Sequence, residues 1–178
     1  MRKSKRVETI LGILVFFLAI TGSFLFLFLP VVGYNGDPVF SLLGSQLVFG
    51  TQNALFPDSI LNYPAFNSTA FLGFFIPVLC AFLSVIWKNK IVYFIATGLL
   101  VISGILMITI TRYIKIQGSL GTHYYLYNAF GKGYKIQIGL IISSTLVLVS
   151  SILSLFHGIF KNVIFKESKI TNNEYNHS

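Results

Sequence analysis

Few side chains in this sequence are of the types that carry out acid–base chemistry or bind metals, and those few lie far apart. Asp37 and Asp58 each neighbour a proline, where an Asx turn accounts for an aspartate without any chemistry. His123 lies in a later loop. A zinc site needs several converging ligands, and a hydrolytic triad needs a nucleophile beside a base. The sequence therefore predicts no catalytic residue and no metal site, and it does not favour an enzyme.

Three further candidates have simple structural interpretations. Cys80 is the only cysteine and lies within an apolar run, so it forms no disulfide within the chain and is interpreted as a small apolar filler. The GKG pattern at Gly131–Gly133 lacks the spacing of a phosphate-binding loop, and no cofactor is predicted. His157 is interpreted as an interface residue or as a partner of a helix C-terminal dipole.

The composition indicates an integral membrane protein. Hydrophobic residues make up 54% of the chain and charged residues 10%, whereas a soluble domain has roughly 25% charged residues. A run of about 20 apolar residues spans a hydrocarbon core roughly 30 Å thick. Such runs, all without Asp, Glu, Lys or Arg, lie at Ile10–Leu29, Ala70–Trp87, Ile91–Thr111 and Ile136–Phe156. Helices are favoured because the alternation of a lipid-facing barrel strand is absent.

The runs predict an all-α fold, a four-transmembrane-helix bundle with a partly structured first extracellular loop. Helices are expected at 7–29, 69–87, 91–112 and 135–159 within a domain of residues 1–160, with outer loops at 30–68 and 113–134. A polar cytoplasmic tail, expected to be disordered, follows at 161–178. The basic start MRKSKR also suits a signal peptide, but the first run exceeds the usual apolar region of about 7–15 residues and lacks a cleavage site.

The basic residues predict the orientation. One side of the predicted bundle carries Arg2, Lys3, Lys5, Arg6, Lys88, Lys90, Lys161, Lys166 and Lys169. The other carries Arg112, Lys115, Lys132 and Lys135. By the positive-inside rule both termini are cytoplasmic in a multi-pass protein of the cell membrane. On this interpretation, the basic residues that give the net charge of +8 orient the helices in the membrane. Nucleic acid is therefore not an expected partner.

The first outer loop is unusually apolar. With a helical period, Phe40, Leu43, Leu47 and Val48 share one stripe, whereas alternation leaves neither face polar, so a helix is favoured over a strand without excluding one. Pro38 would begin this helix and Gly50 would end it. The stripe is expected to pack on the outer end of the bundle or to lie in the headgroup layer, because a free apolar patch would aggregate.

Two patterns lie near the outer membrane surface. The second outer loop contains Tyr124, Tyr125, Tyr127, Phe130 and Tyr134, which are typical of an aromatic belt, with a ligand-binding cluster as the alternative. The NST at Asn67–Thr69 matches both a glycosylation acceptor and a helix start. The helix cap is favoured, because a glycan there would crowd the lipid headgroups.

Small residues recur on one side of the last predicted helix. The candidate packing face consists of Gly139, Ser143, Ser150, Ser154 and Gly158. This spacing lets helices approach closely, within the chain or in a homodimer. In the second helix, Pro77 removes one backbone donor and predicts a kink near Gly73.

Function is constrained mainly by what the predicted helices lack. Pumps and channels usually place ionisable residues inside the bundle, and the apolar runs contain no Asp, Glu, Lys or Arg. A structural or interaction protein, such as an accessory subunit, is therefore favoured, with a transporter or channel component and a small membrane enzyme as alternatives. The expected partners are the lipid bilayer and either other membrane proteins or a second copy of this chain.

The order of these features resembles a group of small four-helix membrane proteins from Gram-positive bacteria and their wall-less relatives. The similarity consists of the basic start, an outer loop with GSQLVFG, a second helix led by FN and the tight KNK turn. It implies a four-helix topology and no particular activity. The topology is also similar to that of claudins, but the first outer loop lacks their tryptophan and cysteine pair, so a junctional function is not implied.

Overall fold

The computed structural model describes residues 2–34, 40–50, 62–64, 66–87, 89–112, 115–117, 123–125 and 134–175. Its long helices are α1 (Arg2–Phe28), α3 (Ser68–Ile86), α4 (Lys90–Ile108) and α5 (Ile138–Tyr175). A short helix, α2 (Gly44–Phe49), lies between α1 and α3 in the chain. Each long helix contains a stretch that is long and apolar enough to cross a membrane, as the sequence predicts.

The four long helices pack as a ring in which each contacts two neighbours. Helix α1 packs on α3 and α5, and α4 packs on the same two helices from the other side. The interior holds fully buried side chains from each of them, including Val15, Cys80, Leu100 and Val147. Large apolar side chains such as Phe17 (61% exposed) point outward, which suits helices surrounded by lipid.

The helix starts follow from asparagine caps. The side chain of Asn67 accepts a hydrogen bond from the backbone N–H of Ala70 at 3.0 Å and starts α3. This hydrogen bond confirms the predicted cap. Asn67 is only 8% exposed, so its side chain lies away from the surface that a glycan would need. The side chain of Asn89 accepts from Ile91 N–H at 3.2 Å and starts α4 in the same way.

Helix α1 begins at Arg2, five residues before its predicted start, and α5 begins at Ile138, three residues after its predicted start. The C-terminal ends of α4 and α5 also differ from the predicted bounds. Helix α4 ends at Ile108 and is followed by a 3₁₀ turn at Ile110–Arg112. Helix α5 runs on to Tyr175, where the sequence predicts a disordered tail. No glycine or proline follows Gly158, and lysine and glutamate are good helix formers, so an established helix continues without a stop signal.

The outer loops form two small sheets, which the prediction of an all-α fold missed. The strands are β1 (Pro30–Tyr34), β2 (Phe40–Leu43), β3 (Asn62–Pro64), β4 (Lys115–Gln117), β5 (His123–Tyr125) and β6 (Tyr134–Ile136). One antiparallel sheet has the order β2-β1-β6 and the other β3-β4-β5. Each sheet contains strands from both outer loops, so the loops are joined by backbone hydrogen bonds.

The apolar stretch of the first outer loop is a strand followed by a short helix. The prediction of a helix starting at Pro38 was wrong over Phe40–Leu43, because pairing with β1 satisfies that backbone. The predicted stop is confirmed: Gly50 has φ 80° at the C-cap of α2, a conformation that glycine adopts at little cost. A methyl group at Gly44 would overlap the carbonyl oxygen of Phe26, so α2 sits directly on the outer end of α1.

Pro77 is compensated by a residue of the neighbouring helix. It lies inside α3 and has no N–H to donate to the carbonyl oxygen of Gly73, four residues earlier. The hydroxyl of Ser103 in α4 donates to that oxygen at 2.6 Å. A hydroxyl from an adjacent helix is one way in which membrane proteins satisfy a carbonyl freed by proline. The kink at Gly73 stays a prediction.

Candidate functional site

The small-residue face of α5 is buried along its whole length, and it faces two different helices. At the outer end, a Cβ on Gly139 would overlap the backbone of Pro30, and one on Gly22 of α1 would lie 3.1 Å from the carbonyl oxygen of Ser143. At the other end the face meets α4, since a Cβ on Gly158 would lie 3.4 Å from the Phe94 ring. This face therefore packs within the chain.

The serines of this face use their hydroxyl groups in two ways. Ser143 and Ser150 donate to carbonyls of their own helix, at 2.6 and 2.7 Å. Ser154 donates to the carbonyl of Tyr93 in α4, at 3.0 Å. The bond from Ser154 thus joins α5 to α4 near the end of the bundle that holds the N-terminus.

The predicted stripe of the first outer loop is split between two elements. Leu47 and Val48 of α2 are fully buried, and Leu43 at the end of β2 is half-buried. The side chain of Phe40 lies outside the described residues. The N–H of Asn67, just before α3, donates to the carbonyl of Val48 at 3.1 Å. The short helix is consequently held between α1 and α3.

Of the loop residues considered for chemistry, the structure describes only the backbone of some. Asp37, Asp58, Tyr127, Phe130 and the GKG pattern lie outside the described residues. His123, Tyr124 and Tyr125 form β5 and Tyr134 begins β6, but the placement of their side chains is not described. Within the described part of the chain, no cluster of three His, Cys, Asp or Glu side chains is placed to hold a metal ion.

The four long helices line a partly open cavity of about 550 Å³ at the end of the bundle that holds the N-terminus. Its described lining comes from all four helices: Glu8, Thr9, Gly12, Ile13, Ser84, Val85, Tyr93 and His157. The volume falls within the range of about 300–1,000 Å³ that is typical of small-molecule sites. The cavity is therefore large enough for a small organic ligand.

His157 and Tyr93 form one wall of this cavity. His157 is 3% exposed and Tyr93 is 2% exposed. Their rings are stacked, with centroids 3.9 Å apart and planes inclined by 24°. A Cβ on Gly12 would lie 3.4 Å from Cε1 of His157, so the absence of a side chain at position 12 leaves the imidazole edge facing the cavity. The histidine is held rigidly by the stack.

Glu8 supplies the charge of the site. It is half-buried and is the only acidic residue within the four candidate spans, which begin at Arg6 in α1. No lysine or arginine occurs among the described residues that line the cavity. A carboxylate at the edge of an apolar bundle is best stabilised by a positive charge close to it. The cavity thus combines one negative charge with hydroxyl, imidazole and apolar surfaces.

The sequence does not predict this cavity, because each lining residue has an ordinary interpretation when it is considered alone. Glu8 lies just before the apolar run that starts at Ile10, and Tyr93 counts as an apolar residue within its own run. The interpretation of His157 as a helix-dipole partner was wrong: α5 ends at Tyr175, and the dipole acts only within the last turn.

No protein-family model matches this sequence, and neither the curated proteins nor the solved structures include one that is significantly similar to it.

Proposed function

We propose that this protein is a structural or accessory subunit of the cell membrane, with both termini in the cytoplasm, that presents its folded outer cap to another membrane protein. The outer cap consists here of β1, β2, α2 and β6. The resemblance to small four-helix membrane proteins of Gram-positive bacteria forms part of this proposal, and so does the orientation, which is supported by the distribution of lysine and arginine.

The observation that supports a binding role is the construction of the outer cap. Connecting two helices requires only a few residues, yet here the first loop forms the strands β1, β2 and β3 and the helix α2, and α2 packs on the bundle. The Gly44 N–H donates to the Leu29 carbonyl at 3.4 Å, and the Gln46 side chain accepts from the Leu43 N–H at 2.9 Å. A rigid surface loses little conformational entropy when it binds a partner.

The interior of the bundle supports this role over solute transport. Of the eight buried serines in the described long helices, six donate to a carbonyl of their own helix, as Ser23 does to Ala19 at 2.9 Å. Among the described residues, Asp, Glu, Lys and Arg occur in the candidate spans only within their first turn, at Arg6, Glu8 and Lys90. A coupled transporter would place ionisable groups near the middle of the membrane.

Photocrosslinking in intact cells tests the proposal. A photoreactive amino acid at Ser41, which is exposed in β2, should give one defined protein adduct, which mass spectrometry then identifies. The matched control is the same amino acid at Gly98, an exposed position in α4 with open space around it, which should react with lipid only. An adduct of twice the mass of the chain would identify a second copy as the partner.

Two results would contradict the proposal. The first is the absence of any protein adduct at Ser41 while the protein is folded and inserted. The second is uptake of a solute or ion by liposomes that contain the purified protein alone, because that activity would favour the transporter or channel alternative.

A further inference from the structure

We propose that the cavity at the end of the bundle that holds the N-terminus binds a ligand with a positively charged amine and a short apolar portion. This inference concerns a different surface from the outer cap and does not depend on the function proposed above. It rests on the composition, the position and the rigidity of the cavity wall.

The carboxylate in the cavity wall favours a positively charged ligand. Glu8 is the one acidic residue of the described lining, which contains no lysine or arginine. An ammonium group that enters beside Glu8 would form a charge-assisted hydrogen bond with the carboxylate. Because the site lies at the edge of an apolar bundle, this interaction is screened less than it would be in water.

The remaining wall residues suit the rest of such a ligand. The imidazole of His157 and the hydroxyl of Thr9 provide further polar contacts. Ile13 and Val85 provide apolar surface. Sites for small molecules commonly combine mostly apolar walls with a few placed polar groups. A linear alkylamine matches this arrangement, with its head at Glu8 and its chain along the two aliphatic residues.

The rigidity of the wall indicates a preformed site. Tyr93 is fixed by its stack with His157, and its backbone carbonyl accepts hydrogen bonds from Ser154 at 3.0 Å and from Thr97 at 2.8 Å. The Ser84 hydroxyl donates to Ala81 of its own helix at 2.7 Å. The wall side chains from α3, α4 and α5 are therefore held in place without a ligand.

The amine could come from a lipid headgroup such as phosphatidylethanolamine or from a free alkylamine, and one experiment separates the two sources. The full chain, labelled with ¹³C and ¹⁵N at histidine, is titrated in detergent micelles with hexylamine, and the imidazole signals are followed by NMR. His157 is assigned from the spectrum of His157→Gln. Hexanol, which lacks the charge, is the matched control ligand.

We expect hexylamine to shift the His157 signals saturably and hexanol to leave them in place. Glu8→Gln should weaken hexylamine binding at least tenfold, because the carboxylate is lost while the shape is kept. The matched control is Glu167→Gln, which removes the same charge ten residues beyond His157 along α5, roughly 15 Å away. That control should bind hexylamine like the wild type.

A steric pair of variants tests the same cavity without changing its charge. Gly12→Val places a side chain against His157 and Ser84 and should also reduce hexylamine binding at least tenfold. Gly98→Val adds the same side chain to a surface with nothing within 4 Å and should have no effect. Circular dichroism and the elution volume in detergent confirm that each variant is folded before it is titrated.

The source follows from competition. If short-chain phosphatidylethanolamine displaces hexylamine and phosphatidylglycerol does not, the natural ligand is a lipid headgroup; if neither displaces it, the site takes a free amine. The proposal is overturned if hexylamine produces no saturable shift, if hexanol produces the same shift, or if folded Glu8→Gln and Gly12→Val both bind hexylamine as the wild type does.

Discussion

The hydrogen bond between Ser103 and the Gly73 carbonyl allows a quantitative prediction about Pro77. Pro77 has no N–H to donate to the Gly73 carbonyl, and the Ser103 hydroxyl donates to that oxygen instead. Replacing Ser103 with alanine removes this donor. An unsatisfied buried carbonyl costs about 1–3 kcal/mol in proteins generally. Hydrogen bonds between transmembrane helices average about 0.6 kcal/mol and reach about 1.7 kcal/mol. We therefore expect Ser103→Ala to lower the free energy of unfolding by about 1–2 kcal/mol.

Ser150→Ala is the matched control for this change. Ser150 is fully buried like Ser103, but its hydroxyl donates to Val147 within its own helix at 2.7 Å, in addition to the regular helix bonds. The gain in helix propensity from serine to alanine is the same in both variants and cancels in the comparison. We expect Ser150→Ala to change the free energy of unfolding by less than about 0.5 kcal/mol.

A double-mutant cycle with Pro77→Ala isolates the mechanism. Alanine at position 77 restores the N–H that reaches the Gly73 carbonyl, so Ser103→Ala should become nearly neutral in that background, with a coupling energy of about 1 kcal/mol. Unfolding in mixed micelles of dodecyl sulfate and a mild detergent, followed by circular dichroism, gives the energies. The reasoning is refuted if Ser103→Ala costs the same in the wild-type and Pro77→Ala backgrounds, or no more than Ser150→Ala.

Three further predictions concern the outer cap and the topology. Leu47→Asp buries an unpaired charge and should strongly lower the melting temperature of the protein in detergent. Ser41→Asp, on the exposed strand, should not lower it. Similar melting temperatures of the two variants would mean that Leu47 is not buried. Gly44→Val should destabilise by several kcal/mol because its side chain would overlap the α1 backbone, and equal melting of Gly44→Val and Gly98→Val would contradict that contact. A cysteine at Ser41 should react with an impermeant thiol reagent in intact cells and one at Asn89 should not; the reverse pattern would invert the orientation.

The helices could be predicted from the sequence, whereas the sheets could not. The charge-free run from Ala70 to Trp87 leaves its backbone few alternatives to a helix in lipid. The strands depend instead on partners far apart in the chain: Val32 pairs with Leu42 on one side and with Ile136 on the other. The stretch around Leu42 has no clean apolar–polar alternation, and the alternation of residues 134–138 overlaps the apolar run from which the last helix is predicted.

The cavity was unpredictable for a related reason. Its walls come from four helices that meet near one end of the bundle. A period of 3.6 residues predicts which face of its own helix a residue occupies, but not which other helix lies opposite that face. Glu8 and His157 become neighbours of one cavity only because α1 and α5 run antiparallel in contact. In contrast, the small-residue pattern from Gly139 to Gly158 depends on local spacing alone, and it was visible in the sequence.

The pairing of β1 with β6 has a mechanical consequence for the opposite end of the molecule. Strand β1 follows α1 almost directly, and β6 leads almost directly into α5. The backbone pairing from Val32–Ile136 to Tyr34–Tyr134 therefore links these two helices. A β ladder can slide only in whole residues, and a slip of one residue turns every side chain to the other face. This pairing therefore opposes sliding of α1 relative to α5. Gly12 and His157 lie further along these two helices, toward the end of the bundle that holds the N-terminus, so the ladder also helps to fix the spacing between them.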